Sequence, residues 1–285
     1  MGAININSIY KHIDEIRMFI DDNPLDVLAI NKTKLDSSIP DAQVSLSGYI
    51  CIRNDRTRFG DGVCIYIHNT ITFSKIPELD CYDLETLSTR NPNSSPFLIT
   101  ACYRPPNTPD DFLDKFEEYL KLADSKYQEI YILGDMNCDT FSVPLGVHTR
   151  RFCDILNNYQ LFQLINEPTR ITENSETCID LVITNKKDNV KVFGVYPLSI
   201  SDHSFIYIIR KIGLSRGNPK VIVSRNLKSF DQTAFLLDLQ NANWPSAIAV
   251  SDVNDFWSKW KDIFLQITSK HAPSRTVKVR NKTSP

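Results

Sequence analysis

The chain has 285 residues, of which 42% are hydrophobic and 23% are charged, so it can bury the core of one large α/β domain or of two small ones. Its 32 Lys and Arg against 34 Asp and Glu give a net charge of −2, which excludes a protein whose overall charge alone would attract nucleic acid. The seven cysteines form no Cys-x-x-Cys pair, so neither a disulfide framework nor a zinc site is predicted. Reduced, buried thiols in a cytoplasmic or nuclear protein are expected instead. No secretory signal or membrane span is expected either, because the longest apolar stretches are strand-sized.

The hydrophobic pattern predicts alternating strands and helices over the first two thirds of the chain. In chain order these are a helix over 9–19, strands over 25–30, 49–53, 62–67 and 97–103, a helix over 112–122, a strand over 130–133, a helix over 149–159, and strands over 177–184 and 205–209. The turn at residues 60–62 predicts that the second and third strands form a hairpin. Because helices fall between strands, residues 1–212 are expected to form one α/β or mixed-sheet domain.

The chain changes character after residue 212. Residues 204–230 carry six Lys or Arg and no acid and contain Gly and Pro breakers, so a basic linker is predicted over 213–230. The spacing of aromatic and aliphatic residues predicts a helical extension over 231–270. Residues 270–285 carry five Lys or Arg and no acid, and a basic disordered tail is predicted over 271–285.

Four polar motifs follow or interrupt the apolar strands, where the sites of α/β proteins usually form. They are Asn5-Ile6-Asn7-Ser8, Gly134-Asp135-Met136-Asn137, Thr177-Cys178-Ile179-Asp180 and Ser201-Asp202-His203. Each alone has an ordinary structural explanation, since Gly, Asp and Asn form turns and a single His is usually a surface or core residue. Together, several carboxylates, two amides and one imidazole suit Mg²⁺ and supply an acid that can orient the imidazole.

The order of these motifs, with Tyr103-Arg104-Pro105-Pro106 after the first, resembles the endonuclease/exonuclease/phosphatase superfamily. The Tyr-Arg-Pro-Pro and Ile-Asp-Leu-Val-Ile-Thr-Asn sequences are similar to one branch, the apurinic/apyrimidinic-like endonuclease of non-LTR (LINE-type) retrotransposons. The resemblance covers residues 1 to about 212, and residues 270–282 resemble the segment that precedes the reverse transcriptase in those elements. It implies a deoxyribonuclease I-like, four-layered α/β sandwich of two packed mixed β-sheets flanked by helices, and a Mg²⁺-dependent phosphodiesterase that nicks DNA.

The resemblance also implies catalytic roles for five residues. Asp135 would orient or deprotonate the attacking water, and Asn137 would hold that water and the phosphate. His203, oriented by Asp180, would stabilise the charge that develops on the scissile phosphate. Tyr103 would donate a hydrogen bond to a phosphate oxygen.

One position departs from the family pattern at the metal site. The family reads Glu-Thr-Lys-Leu-Asp after its second strand, and this Glu is its principal metal ligand, whereas the chain has Lys32. Because an ammonium repels Mg²⁺, metal affinity is expected to fall, and Lys32 is predicted to form a salt bridge with Asp202 or Asp135. The remaining residues expected at the metal site are Asn5 and Asp202. The residues expected to bind DNA are Arg104, Lys186 and Lys187.

Three functions remain open from the sequence. The first is Mg²⁺-dependent nicking of DNA, impaired by Lys32, and the second is a catalytically inactive, nucleic-acid-binding or decaying remnant of the same domain. The third is a phosphatase of the superfamily that acts on inositol lipids or sphingomyelin, which the Tyr-Arg-Pro-Pro and Thr-x-Ile-Asp contexts disfavour. DNA is therefore the expected partner, and no membrane partner is expected. Position 32 distinguishes the first two functions, because Glu there should restore activity if the rest of the site is intact.

Overall fold

The computed structural model describes residues 1–57, 60–79, 84–91, 96–106, 108–109, 111–211 and 220–279. Its internal contacts divide the chain into two units, Met1–Gly213 and Leu214–Pro285. Within these described ranges, no helix has the length and apolar character that a bilayer crossing requires. The six cysteines in them are free thiols.

The first unit consists mainly of strands. In chain order its elements are β1 (Gly2–Asn5), α1 (Ile13–Asp22), β2 (Val27–Asn31), β3 (Tyr49–Asn54), β4 (Val63–His68), β5 (Ser74–Lys75), β6 (Glu85–Asn91), β7 (Phe97–Tyr103), α2 (Phe112–Lys126), β8 (Ile130–Asp135), α3 (Val147–Asn158), β9 (Phe162–Gln163), β10 (Arg170–Thr172), β11 (Ser175–Thr177), β12 (Asp180–Thr184), β13 (Val190–Tyr196) and β14 (Phe205–Arg210). Short 3₁₀ turns lie at Ile9–Lys11, Asp41–Val44, Pro77–Leu79 and Lys187–Asn189. The second unit contains β15 (Lys220–Arg225), α4 (Gln232–Gln240), α5 (Pro245–Ile248), α6 (Val253–His271) and β16 (Ser274–Val279).

Twelve strands of the first unit form two mixed sheets of six strands each. The first sheet has the order β13-β14-β1-β2-β4-β3, and the second has the order β5-β6-β7-β8-β12-β9. Strands β1 and β2 pair in parallel, as do β7 and β8, and the other neighbours are antiparallel. Strands β10 and β11 form a separate hairpin. An isolated antiparallel β-bridge pairs Arg170 of this hairpin with His203.

Side chains alternate between the two faces of each strand, and this alternation builds the layers. In β2, Val27 and Ala29 belong to the core shared with the second sheet. Leu28 and Ile30 pack instead with the apolar face of α1, formed by Ile13, Ile16 and Ile20. Helices α2 and α3 cover the second sheet. The two helices contact each other through Phe116 and Phe152, whose ring centroids are 5.8 Å apart. The structure confirms the four-layered α/β sandwich of two packed mixed sheets with helices outside.

The second unit differs from its prediction at both ends. Strands β15 and β16 pair antiparallel from Lys220 opposite Val279 to Arg225 opposite Ser274. Parts of the predicted basic linker and disordered tail therefore form a two-stranded sheet, and the β-branched residues in both segments explain why. Residues 212–219 and 280–285 of those predictions lie outside the described residues. Helices α4, α5 and α6 lie within the predicted helical extension, apart from the last residue of α6.

Candidate active site

Strand β8 ends in Gly134 and Asp135, and the glycine allows the two sheets to approach each other there. The φ angle of Gly134 is 144°, which L side chains rarely adopt. A Cβ atom on Gly134 would lie 2.0 Å from the carbonyl oxygen of Cys102 and 2.7 Å from Oδ1 of Asn31. In this space the Asn31 Nδ2 donates to the Cys102 carbonyl at 3.1 Å, and the Asp135 amide donates to Asn31 Oδ1 at 3.2 Å. Asn31 therefore joins the first sheet to the second beside Asp135.

Four of the predicted site residues meet at the edge where β1 and β8 end and β12 and β14 begin. Asp180 lies opposite Asp135 in the antiparallel register of β12 and β8. Asn5 Nδ2 donates to Asp135 Oδ2 at 2.7 Å and lies 3.3 Å from His203 Nε2. His203 Nδ1 lies 2.8 Å from Asp180 Oδ2, and none of the four residues is more than 4% exposed. Two carboxylates, an imidazole and an amide from distant parts of the sequence thus form one buried hydrogen-bonded chain.

Burial and the neighbouring charges shift the pKa values of Asp135 and His203. Burial raises the pKa of Asp135 to about 7, and the negative charge of Asp180 adds to this, against the opposing effects of His203 and the hydrogen bonds from Asn137 and Asn5. Burial lowers the pKa of His203, but the hydrogen bond to Asp180 and the surrounding carboxylates outweigh burial, so that the pKa of His203 is raised. The cluster therefore gains or loses a proton close to neutral pH.

Two hydroxyl groups hold the cluster in place. Thr169 Oγ1 accepts hydrogen bonds from the amides of Ile179 at 3.1 Å and Asp180 at 2.9 Å. Ser201 Oγ donates to the Asn5 carbonyl at 2.6 Å and accepts from the His203 amide at 3.1 Å. Sequence reasoning assigned no role to either residue, although Ser201 belongs to the Ser-Asp-His motif, and nothing in the sequence around Thr169 signals its contact with β12.

Asn137 and Arg104 support Asp135 from the opposite side. The Asn137 amide donates to Asp135 Oδ1 at 3.0 Å, and its Nδ2 donates to the Arg104 carbonyl at 2.7 Å. The Arg104 Nη1 donates to the Asn137 carbonyl at 3.3 Å, and the guanidinium lies 5.7 Å from the ring centroid of Phe112. Arg104 is only 5% exposed, so the contacts seen here are internal, and its contact with DNA stays a prediction. Asn137 likewise uses its side-chain donor within the protein.

Lys32 does not form the predicted salt bridge with Asp202 or Asp135. Its Nζ lies 5.5 Å from the ring centroid of Tyr103, and within the described residues it has no ion pair. The backbone at Lys32 is left-handed, with φ of 53°, and the next amide, of Thr33, donates to the Gly62 carbonyl at 3.1 Å. This conformation directs the ammonium to an aromatic ring.

The Tyr103 hydroxyl is buried and lacks a hydrogen-bond partner among the described residues. Burial and the charges of Asp61, Asp135 and Glu85 raise the pKa of Tyr103, so the phenol stays protonated and can donate a hydrogen bond.

Three other predicted residues lie apart from the buried cluster. The Asp202 carboxylate accepts from Arg170 Nε at 2.8 Å, and about half of each side chain is exposed. Partial burial raises the pKa of Asp202, but the hydrogen bond from Arg170 and the charge of His203 lower it overall. Asp202 is thus paired with Arg170 in this structure, and its role as a metal ligand stays a prediction. Lys186 and Lys187 follow the other end of β12, where Lys187 Nζ lies 4.4 Å from the Phe162 ring, so they are not at the same edge as His203.

The buried cluster fits a divalent cation. Ligand atoms of Asp135, Asp180 and His203 lie within 4.8 Å of one another. Two oxygen atoms of the cluster, Asn5 Oδ1 and Asp180 Oδ1, are buried and have no hydrogen-bond partner among the residues that the structure describes. Carboxylate and amide oxygens are the ligands that hard divalent cations prefer, and His203 supplies at most one positive charge for two carboxylates.

Comparisons with known proteins give one family match and several similar folds. Residues 97–207 match the family model described as Endonuclease-reverse transcriptase. The fold is similar to the AP endonuclease LMAP from Leishmania major, with a TM-score of 0.64 and 17% identity over 73% of this chain and 86% of that chain. It is also similar to the endonuclease domain of TRAS1, a telomere-specific non-LTR retrotransposon, with a TM-score of 0.59 and 13% identity over 74% of this chain and 98% of that chain.

A third similar structure is the 3′ phosphatase NExo from Neisseria bound to a product DNA hairpin, with a TM-score of 0.58 and 15% identity over 73% of this chain and 98% of that chain. No curated protein sequence matches the chain. The family match extends from the start of β7 into β14, and it contains Asp135, Asp180 and His203. This match and the similar folds agree with the predicted resemblance to the endonuclease/exonuclease/phosphatase superfamily.

Proposed function

We propose that residues 1–213 are the endonuclease domain of a non-LTR retrotransposon, that the domain nicks DNA in a Mg²⁺-dependent reaction, and that Lys32 reduces its rate. The observation that carries this proposal is the buried hydrogen-bonded chain from Asp180 through His203 and Asn5 to Asp135. The description of the matching family and the likeness to TRAS1 support the retrotransposon branch. The DNA product bound to NExo supports DNA as the substrate class.

The residues of this hydrogen-bonded chain can each contribute to phosphodiester hydrolysis. Asp135, whose pKa burial raises to about 7, can take a proton from a water molecule when it is ionised. His203, held by Asp180, can place a positive charge against the phosphate oxygens as negative charge develops there. Mg²⁺, when bound, would neutralise part of the phosphate charge, and the unsatisfied oxygens of Asn5 and Asp180 would hold it.

Lys32 opposes the metal by charge. Two positive charges about 4 Å apart repel each other by roughly 4 kcal/mol at an effective dielectric constant near 20. The distance between Lys32 Nζ and the cation would set the actual effect, and in this structure the ammonium lies 5.5 Å from the ring centroid of Tyr103.

The second candidate function is a catalytically inactive domain that binds nucleic acid. The position of Lys32 favours it, because an ammonium that has no ion pair among the described residues can bind a phosphate without any metal. Such binding would weaken as salt rises.

Nicking of supercoiled plasmid by the full chain in MgCl₂ tests the proposal. We expect slow nicking that EDTA abolishes, nicking at least tenfold faster with Lys32→Glu, and none with His203→Ala. Lys34→Glu is the matched control, because Lys34 has the same left-handed φ of 53° and the same partial burial, and it should leave the rate unchanged. Salt-sensitive DNA binding by the parent that Lys32→Glu weakens, with nicking by neither protein, would favour the inactive candidate. If none of these proteins binds or nicks DNA, both candidate functions are refuted.

A further inference from the structure

The second unit has a charge opposite to that of the first. Residues 214–285 contain 11 Lys and Arg and 5 Asp, with no Glu, which gives a net charge of +6. Residues 1–213 contain 21 Lys and Arg and 29 Asp and Glu, which gives a net charge of −8. The near-neutral total hides this asymmetry. Attraction for a polyanion is therefore concentrated in the second unit.

Helix α6 presents a stack of aromatic rings. The rings of Trp257 and Trp260 lie 5.3 Å apart with an interplanar angle of 10°, and those of Trp260 and Phe264 lie 5.3 Å apart at 7°. Trp244 contacts the middle of the stack, with its ring 5.9 Å from Trp260, and its Nε1 donates to the Leu239 carbonyl at 2.7 Å. The stack ends in Trp257, which is 56% exposed. A tryptophan this exposed has ring surface that a further planar group can cover.

A cation lies next to the end of the stack. Lys261 is exposed and follows Trp257 by four residues, so the two side chains are neighbours on the surface of the helix. Lys259 is also exposed, but at ~100° per residue it points about 160° away from Trp257. Lys270, near the end of α6, pairs with Asp238 of α4 at 2.6 Å. The face around Trp257 therefore combines an aromatic surface with a positive charge.

We propose that this face of α6, formed by Trp257, Trp260 and Lys261, binds single-stranded DNA. A base stacks on the indole of Trp257 and extends the existing stack, and Lys261 contacts an adjacent phosphate. The net charge of +6 favours a polyanion over an apolar protein partner, which would leave that charge without a counterpart. The choice of DNA rests on the proposed function of the first unit, because nicking a duplex frees a strand end that can be captured nearby.

The distribution of tryptophan gives this proposal a specific test. All three tryptophans of the chain, at 244, 257 and 260, lie in the second unit, so tryptophan fluorescence of the full chain reports on this unit. We expect an oligo(dT) of about 16 nucleotides to quench this fluorescence as it binds, because a base that stacks on an indole quenches it. Trp257→Ala should weaken the affinity at least about fivefold, and Trp257→Phe should retain most of it, since phenylalanine keeps a stacking surface.

A matched pair of lysine variants tests the charge. Lys261→Gln should weaken the affinity severalfold and lower the slope of log affinity against log salt by about 1. Lys259→Gln removes the same charge from the other side of α6 and should change the affinity less than twofold. Equal effects of the two variants would show a diffuse charge effect and would contradict the assigned face.

The outcomes separate this proposal from the one made for the first unit. His203→Ala should abolish nicking and leave the quenching unchanged. Binding of labelled oligo(dT) without tryptophan quenching, and with the same affinity in Trp257→Ala, would overturn the α6 proposal while leaving the nuclease proposal intact. No binding of oligo(dT) would also overturn it, and tighter binding of oligo(U) than of oligo(dT) would refute the choice of DNA.

Discussion

Replacing Gly134 by alanine should destabilise the first unit and disorder the site together. The new Cβ would lie 2.0 Å from the Cys102 carbonyl oxygen, a backbone atom that cannot rotate away, and 2.7 Å from Asn31 Oδ1. Relief requires β7 and β8 to separate or Asn31 to leave, and the Asn31 hydrogen bonds to Cys102 and Asp135 are then lost. Each buried group left without a partner costs ~1–3 kcal/mol. The left-handed φ of 144° adds ~1–2 kcal/mol. We expect a total loss of about 4 kcal/mol or more.

Urea unfolding followed by far-UV circular dichroism measures this loss. Tryptophan fluorescence is unsuitable, because the three tryptophans lie in the second unit. Gly146→Ala is the control, since no atom lies within 4 Å of the Cβ that it would add, and it should stay within about 1 kcal/mol of the parent. If Gly134→Ala is also within about 1 kcal/mol of the parent, the close approach of Asn31 and Cys102 to Gly134 is refuted.

The remaining predictions concern the charges of the site. Asp180→Asn should lower the pKa of His203, because burial then acts without the opposing carboxylate, and NMR titration of the imidazole measures this; an unchanged pKa would contradict the assigned hydrogen bond. Asp135 binds its proton more tightly in the folded chain, so the stability of the parent relative to Asp135→Asn should fall as pH rises from about 4 to about 7, and a flat difference across that range would disprove the raised pKa. A divalent cation beside Asp135 should displace this proton, so calorimetry in buffers of different ionisation heat should detect proton release when MgCl₂ is added at pH 7; Asp135→Asn should abolish the release. Lys32→Glu should lose the contact between the Lys32 ammonium and the Tyr103 ring, which is worth ~0.5–2 kcal/mol, so its melting temperature without metal should be lower than that of the parent. MgCl₂ should raise the melting temperature of Lys32→Glu but not that of Lys34→Glu.

The core of the fold could be predicted because its central strands are buried on both faces. The apolar runs over 97–103 and 130–133 are β7 and β8, where every residue but Phe97 is buried. Strand β6 was not predicted, because two of its buried side chains, Thr86 and Ser88, are hydroxyl residues that hide the hydrophobic alternation. Ser88 Oγ lies 3.1 Å from Thr100 Oγ1 of β7, and only the pairing of the two strands reveals that contact.

The members of the site could be predicted from motifs, and the family resemblance also predicted the contact of Asp180 with His203. The partners of Lys32, Arg104 and Asp202 could not be predicted. Asn5, Asp135, Asp180 and His203 each lie at a strand end, and strand ends meet in a folded sheet. The partner of a charged side chain depends on contacts that form only in the folded chain. Arg104 turns inward because Phe112 of α2 covers it, and Asp202 is occupied by an arginine 32 residues earlier in sequence.

The position of β1 has a consequence for how the first unit is made. Gly2–Asn5 precede the other strands of the first unit in the chain, yet β1 lies between β2 and β14, and β14 is completed only at Arg210. Until then one edge of β1 has no partner strand, and joining it closes a loop of about two hundred residues, which is slow and costs chain entropy. A chain that ends before Phe205 lacks β14, so one edge of β1 stays open and can act as a template for aggregation. A chain that ends before residue 203 also lacks His203 and its hydrogen bond to Asp180. Premature termination should therefore yield insoluble protein rather than a folded, partly functional domain.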